Sequence, residues 1–389
     1  MVVSYITAGW PPSDIYVVEN TGVMDSNKRG LLSLQNPFFL NHSRLHMLGV
    51  NILIAPTLLT FAQLQNYYLF TSISNDWDYY FWSHMDVVAL SFEGEYIDQK
   101  AEKHESILPP SDPKHDYSDF KSLYKNCVDN LRNTTLPDPQ TGVVPRWAQR
   151  FFSYDRLALV NVAAFVEVGG WDTLIPFYMT DCDMHARLEM AEFEMLEVHP
   201  GFVFDVASSL DDLVVLYRKK GTVEASFKDP NAVEEELKAI AEAEKEKRLL
   251  DEKKVQDVKD KKSTKRSIES DGSEEARKEF SPKSVAPSSG EWKDDEIHSE
   301  SFTQLEHTLD NMLRSKGDSA RGRNTWQARQ MGGQGDPFYR DSAGFDVGIG
   351  MTIEHGRAVF REKWGHRDCD IRAIGLRPED AWRLEHDWD

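Results

Sequence analysis

The sequence has no run of about 18 apolar residues, so nothing in it reads as a membrane-spanning helix. No signal peptide is visible at its start. Positive charge is in short supply: 45 Lys and Arg stand against 65 Asp and Glu, a formal net charge of −20. That balance argues against nucleic acid or an anionic membrane as a partner, while leaving room for a local basic site facing a diphosphate. Cysteine is scarce too. Cys127, Cys182 and Cys369 show neither metal-ligand spacing nor a disulfide framework, which fits a reducing compartment. The sequons at Asn41-His42-Ser43 and Asn133-Thr134-Thr135 leave that question open. What the 389 residues do offer is 40% hydrophobic and 11% aromatic side chains. That is enough for a sizeable core, in two domains or in one large domain with tails.

The most informative stretch is 165–188. An apolar run, Phe165 to Val168, ends on Gly169-Gly170, residues that allow a sharp turn or close approach to a ligand. Trp171 and Asp172 follow, and an aromatic loop, Phe177-Tyr178, delivers Asp181 and Asp183 to the start of a helix predicted over 182–192. Carboxylates in a first helical turn are favoured by the helix dipole, so one reading is a cap with first-turn acids. The other is a carboxylate pair and an aromatic wall beside a Gly-Gly turn, suited to taking a proton from a hydroxyl.

Other stretches carry weaker signals. A strand, Ile15 to Val18, closes on Glu19-Asn20-Thr21-Gly22, and a second, Val50 to Ala55, precedes a helix predicted over 58–74. An aromatic strand, Tyr79 to Trp82, runs into Ser83-His84-Met85-Asp86 and then Val87 to Leu90. A carboxylate at such a strand end caps the next turn, or else meets a cation or hydrogen-bond donors in the crevice where α/β ligands bind. Residues 93–116 read as a polar excursion and 117–132 as an exposed helix. Core character returns at Arg150 to Tyr154 and from Ala158 onward. Met195 to Val198 and Phe202 to Phe204 read as strands around His199-Pro200-Gly201, with a helix over 208–219. Composition then changes. From 229 to 323 Glu, Lys, Ser and Asp dominate: a charged helix of coiled-coil character comes first, followed by a piece too polar to order itself. Aromatics resume at Trp326, Phe338-Tyr339, Phe345, Phe360 and Trp364. The expected organisation is therefore a domain over 1–228, a linker over 229–323 and a segment over 324–389 that packs back on the domain.

Taken in order, these stretches resemble nucleotide-diphospho-sugar glycosyltransferases of the GT-A fold, of a family 2-like, fungal type. Gly169-Gly170-Trp171-Asp172, Asp181-Cys182-Asp183 and Arg187 match the acceptor-side motif, with Thr180 where the family keeps a Glu. The run from Gly356 to Gly365 resembles a late aromatic and Lys-Trp-Gly segment. The resemblance implies an α/β, Rossmann-related mixed sheet flanked by helices. It also implies transfer of a sugar from a UDP-linked donor to a carbohydrate or other hydroxyl acceptor, with inversion. Glu19 and Asn20 would hold the uracil and ribose. Asp86, with His84 replacing the first acid of an Asp-x-Asp motif, would hold Mn²⁺ or Mg²⁺ on the diphosphate; imidazole and carboxylate both suit manganese. His199 would be a third ligand, with His355 and His366 as alternatives. Asp181 would be the catalytic base and Asp183 would join Arg187 in orienting the acceptor. Gly170, Trp171 and Asp172 would line the acceptor side, Trp171 stacking on a sugar or else lying in the core.

In such a fold a strand and a helix come before the uridine-contacting strand. A βαβ unit needs about 30 residues, whereas fourteen precede Ile15. Val2 to Trp10 then reads as the end of that helix, and the locus is expected to continue upstream with an apolar strand, in one version behind a membrane anchor. As it stands the chain reads as cytoplasmic; with such an anchor it would belong to the Golgi or another secretory membrane. Two rival readings stand beside transfer. One is a degenerate member of the fold that binds a nucleotide sugar or a protein without turnover; the other is a scaffold acting through its charged tract.

Overall fold

The computed structural model describes residues 1–32, 38–92, 122–138, 140–206, 208–218, 223–229, 299–317 and 342–383. Helix α1 (Val2–Thr7) ends ahead of Trp10-Pro11-Pro12, where proline withholds the donors a further turn would need. Strand β1 (Tyr16–Glu19) follows, then short helices α2 (Met24–Lys28) and α3 (His42–Met47), the latter capped by Asn41. Strand β2 (Asn51–Ile54) pairs with β1 in parallel, Tyr16 opposite Asn51 and Glu19 opposite Ile54. Helix α4 (Phe61–Ser74) starts at a reciprocal capping box between Thr60 and Gln63, which satisfies two otherwise orphaned backbone donors.

Strands β3 (Tyr79–Ser83) and β4 (Val87–Leu90) come next, then helix α5 (Leu123–Asn133), β5 (Trp147–Phe151), β6 (Leu157–Asn161) and the short helix α6 (Val162–Glu167). Helix α7 (Thr180–Met190), β7 (Glu194–Glu197) and β8 (Phe202–Asp205) complete this part. The main sheet has the order β3-β6-β5-β7, with antiparallel β3/β6 and β6/β5 and parallel β5/β7. A separate ladder pairs β4 antiparallel to β8.

Strand β6 shows how the core is divided. Alternate residues of a strand face opposite sides. Accordingly Ala158 and Val160 join Leu69, Trp82, Phe165, Trp171 and Leu188 in one cluster, while Leu157 and Leu159 join Tyr5, Trp10, Leu123, Trp147 and Phe152 in another. Each such large side chain, fully buried, contributes roughly 1.5–3 kcal/mol, so β6 is covered on both faces by apolar packing. A third cluster, with Ile175, Phe360, Trp364 and Ile371, fastens helix α9 (Ser342–Trp364) to α7.

The chain divides into two compact units, Met1–Ala207 with Leu305–Asp389, and Ser208–Gln304. In the second, Leu210 bridges Phe227, and Ser226 donates to Asp211 beside a short 3₁₀ helix, Leu213–Tyr217, where a helix over 208–219 was expected. The fold is mixed α/β, with helices and small mixed sheets.

The apolar run before Gly169 is the end of helix α6, because β6 stops at Asn161 and Val162 already begins helical bonding. Two expectations need correcting. The charged tract is not all linker: helix α8 (Ser299–Gly317) lies within it and carries buried Leu305, Leu309 and Met312. Cys182 and Cys369 form a disulfide across 187 residues, leaving Cys127 buried as a thiol. Such bonds persist in oxidising compartments, opposite to what the cysteine count suggests. The excursion over 93–116, the charged helix that opens the tract from 229, Trp326 and Phe338-Tyr339 lie outside the described residues. Among the described residues, no helix is long and apolar enough to cross a membrane.

Candidate functional site

Two clusters of carboxylates flank helix α7, and they differ in kind. The first is built on the Gly-Gly turn. Both glycines have positive φ, +87° at Gly169 and +71° at Gly170, a conformation most side chains resist. A Cβ on Gly170 would also stand 2.9 Å from Asn66 Oδ1. That oxygen accepts from the Trp171 backbone N–H, while Asn66 Nδ2 donates to the Trp171 carbonyl, so α4 clamps the turn at both polar atoms. Trp171 is buried, edge-on to Phe61 at 5.6 Å between ring centres. It is a core residue, with no ring face open to a sugar.

Asp183 sits beneath this turn with no exposed side-chain surface. Its Oδ2 accepts from Arg187 Nε at 2.9 Å. Its Oδ1 accepts from Trp364 Nε1 at 3.0 Å and lies 2.7 Å from Lys363 Nζ. Lys363 also donates to Asp172 at 2.7 Å, and Arg187 Nη1 donates to the Val168 carbonyl at the end of α6. Burial works to raise the Asp172 pKa, but the Lys363 hydrogen bond, the Leu174 backbone N–H and the nearby cations bring it below the ordinary carboxylate value. Asp172, Asp183 and Arg187 were expected to meet an acceptor. Their polar atoms are instead directed at one another and at α9, because a buried carboxylate must be paired.

The second cluster is open. Asp181, half-buried in the first turn of α7, accepts a 3.1 Å hydrogen bond from the hydroxyl of Tyr154, a half-exposed residue with φ +44°. One turn on is His185. Burial lowers its pKa, and the charges of Asp181 and Asp155 act in the opposite sense. Asp155 lies 3.9 Å from His84 Nε2, whose Nδ1 is 3.8 Å from Asp86 Oδ1. His84 and Asp86 are thus brought together at the turn between β3 and β4. The β4–β8 ladder adds a residue that the sequence did not single out. Asp205 pairs with Val87, and Val206 N–H donates to the Asp86 carbonyl, so Asp205 and Asp86 share one end of that ladder.

Between those two carboxylates lies Lys316 Nζ, 2.5 Å from Asp86 Oδ2 and hydrogen-bonded to Asp205 Oδ1. Arg156 Nε is 3.8 Å from Asp205 Oδ2. Burial works to lower the Lys316 pKa, but the two aspartates raise it above the ordinary lysine value. The fit to a divalent metal is therefore poor as the residues stand, since an ammonium occupies the place between the acids. Among the described residues no group of three or more His, Cys, Asp or Glu is arranged to hold a metal ion.

The remaining expected residues lie apart from this cluster. Glu19 is buried: its Oε1 accepts from Asn27 at 2.6 Å and Thr21 at 3.1 Å, and its Oε2 is 2.8 Å from His42 Nε2. Asn20 exchanges two hydrogen bonds with the Leu59 backbone. Both residues brace the end of β1, their side-chain polar atoms engaged by neighbouring residues. His199 lies before β8, beyond the Phe202–Leu90 end of the ladder, and Asp86 lies at the other end. The four-residue ladder spans roughly 10–13 Å, which keeps His199 from Asp86. His355 is exposed on α9, and His366 faces Asp370 at 2.9 Å. Compared with protein-family models, with curated proteins and with solved structures, the chain matches none.

Proposed function

We propose that the chain transfers a sugar from a nucleotide diphosphate sugar, UDP-linked, to an acceptor hydroxyl, with Asp181 as general base. The observation that supports this reading is the cluster of Asp155, His84 and Asp86 at the β4–β8 end, with Asp155 and the half-buried Asp181 both near enough for their charges to act on His185. A base and a diphosphate site need to be neighbours with solvent access, and in this reading Lys316 and Arg156 supply the positive charge beside Asp86 and Asp205. In the proposed step the acceptor hydroxyl gives its proton to Asp181. Its oxygen bonds to the anomeric carbon while the bond from that carbon to the diphosphate breaks, and the nucleoside diphosphate leaves with the electron pair. Displacement from the opposite face inverts the anomeric centre. The GT-A assignment rests on the order of the motifs along a mixed α/β unit.

Asp183, Arg187 and Asp172 hold the base-bearing helix in this reading and do not touch the acceptor. A second reading, binding of a nucleotide sugar without turnover, is favoured by His84 and Thr180, which stand where the resembled enzymes keep acids. The test is UDP release from a panel of UDP-sugars offered with soluble hydroxyl acceptors, with and without Mn²⁺ or Mg²⁺. Release with at least one donor is the expected result. Saturable UDP binding without release selects the second reading, and neither binding nor release rejects both.

A further inference from the structure

Asp86, just before β4, and Asp205, the last residue of β8, stand at one end of the ladder, and two carboxylates at such range repel unless a cation joins them. In a site built for a divalent ion, that cation would be the metal. Here it is a side chain delivered from 230 residues along the chain, at the last turn of α8. We propose that Lys316 is the resident cation of this site and does the work of a divalent metal toward the diphosphate, so that donor binding requires no metal. The proposal rests on the nucleotide-sugar reading for the identity of the ligand, but not for the identity of the cation.

The chemistry supports a working role for this lysine. An ammonium has three N–H donors and no acceptor. Two of the three are directed at Asp86 and Asp205, and the Lys316 side chain retains 30% of its surface exposed. In this proposal the third donor is the one that meets a phosphate oxygen. Charge also balances: Lys316 and Arg156 bring to Asp86 and Asp205 the two positive charges that one divalent ion would bring. The alternative is a plug, in which Lys316 holds the site closed until a metal displaces it. The two differ in what manganese does to the native protein.

The experiment measures UDP affinity by calorimetry and Mn²⁺ uptake by electron paramagnetic resonance on the full chain. Wild type is expected to bind UDP equally, within about twofold, in EDTA and in Mn²⁺, and to take up no stoichiometric Mn²⁺. Lys316→Ala is expected to lose about tenfold or more of its UDP affinity in EDTA, the scale of a lost charge-assisted hydrogen bond. It should also gain one Mn²⁺ site on the exposed aspartates and recover UDP binding when that site fills. Lys316→Arg, which keeps the charge, should bind UDP in EDTA. A wild type that takes up one Mn²⁺ and binds UDP only then overturns the proposal in favour of the plug. Lys316→Ala that changes neither UDP binding nor Mn²⁺ uptake overturns it as well. If Lys316→Ala does not fold, the wild-type and Lys316→Arg measurements decide alone. If no form binds UDP while Lys316→Ala gains the Mn²⁺ site, the nucleotide reading fails and the cation assignment stands.

Discussion

Lys363 and Lys316 each bridge two aspartates, yet they occupy opposite environments. Lys363 is 8% exposed and Asp183 not at all, whereas Lys316 is 30% and Asp86 39% exposed. The first bridge also has an indole N–H and a guanidinium on the same carboxylate. Every oxygen of Asp183 is taken and water is excluded. The second bridge has one bonded face and one open face. The same pairing of types therefore serves two ends: buried and saturated, it fixes α9 and the Gly-Gly turn to α7; half-exposed and unsaturated, it can exchange partners with a ligand. Burial, more than residue type, separates them.

The largest effect expected from this contrast is on turnover. Asp181→Asn should lower UDP release by about 10²–10⁴-fold with an unchanged melting temperature, because Asp181 lies on the open side. A loss of stability comparable to that of a buried-network variant would move Asp181 into the closed group. The disulfide belongs to the closed side, since it joins α7 to the chain beyond α9. Its reduction, or Cys182→Ser with Cys369→Ser, should cost about 2–4 kcal/mol in urea unfolding. Thiol titration of the unreduced, denatured chain should count one thiol, Cys127; a count of three would mean the bond is absent.

Acid should separate the clusters by smaller amounts. His185 has a folded pKa below its ordinary value of about 6.5. The unfolded chain therefore takes up its proton first, and stability declines as pH falls below about 6.5 toward the lower folded value. Asp172, also depressed, contributes stability that is full above about 3.9 and is lost as pH falls through its lower folded pKa. Urea unfolding between pH 7.5 and pH 3 should show two stages. His185→Phe should remove only the upper one. A single stage near pH 4 in the wild type would remove His185 from the account.

Local features of this arrangement were legible in the sequence. Gly169-Gly170 announced a turn that only glycine adopts easily, and the first-turn acids of α7 announced its start. Lys363-Trp364-Gly365 announced a segment with a structural task. What could not be read was which acid would be buried. Asp181 and Asp183 differ by two positions on one helix, about 200° apart in rotation, so one faces α9 and the other Tyr154. Glu19 looked like a ligand contact because it ends a strand, but its partners Asn27 and His42 arrive from α2 and α3. Asp205 is the residue after a predicted strand, with no motif to mark it, and register alone decides that it and not His199 shares the ladder end with Asp86. Lys316 was the hardest. Its helix carries a stripe, Phe302, Leu305, Leu309 and Met312, at helical spacing, but the surrounding charge hid it.

The two lysine bridges have different tasks, and stability separates them. The most direct test of that difference is urea unfolding of Lys363→Met and Lys316→Met in parallel at pH 7. Lys363→Met leaves Asp183 and Asp172 without their shared ammonium in a closed site, and should lose about 3–5 kcal/mol. Lys316→Met leaves half-exposed aspartates that water can solvate, and should lose about 1 kcal/mol or less. Equal losses, or a larger loss for Lys316→Met, would show that the Asp86–Asp205 bridge holds the fold as the other does, and would contradict its assignment as an open site.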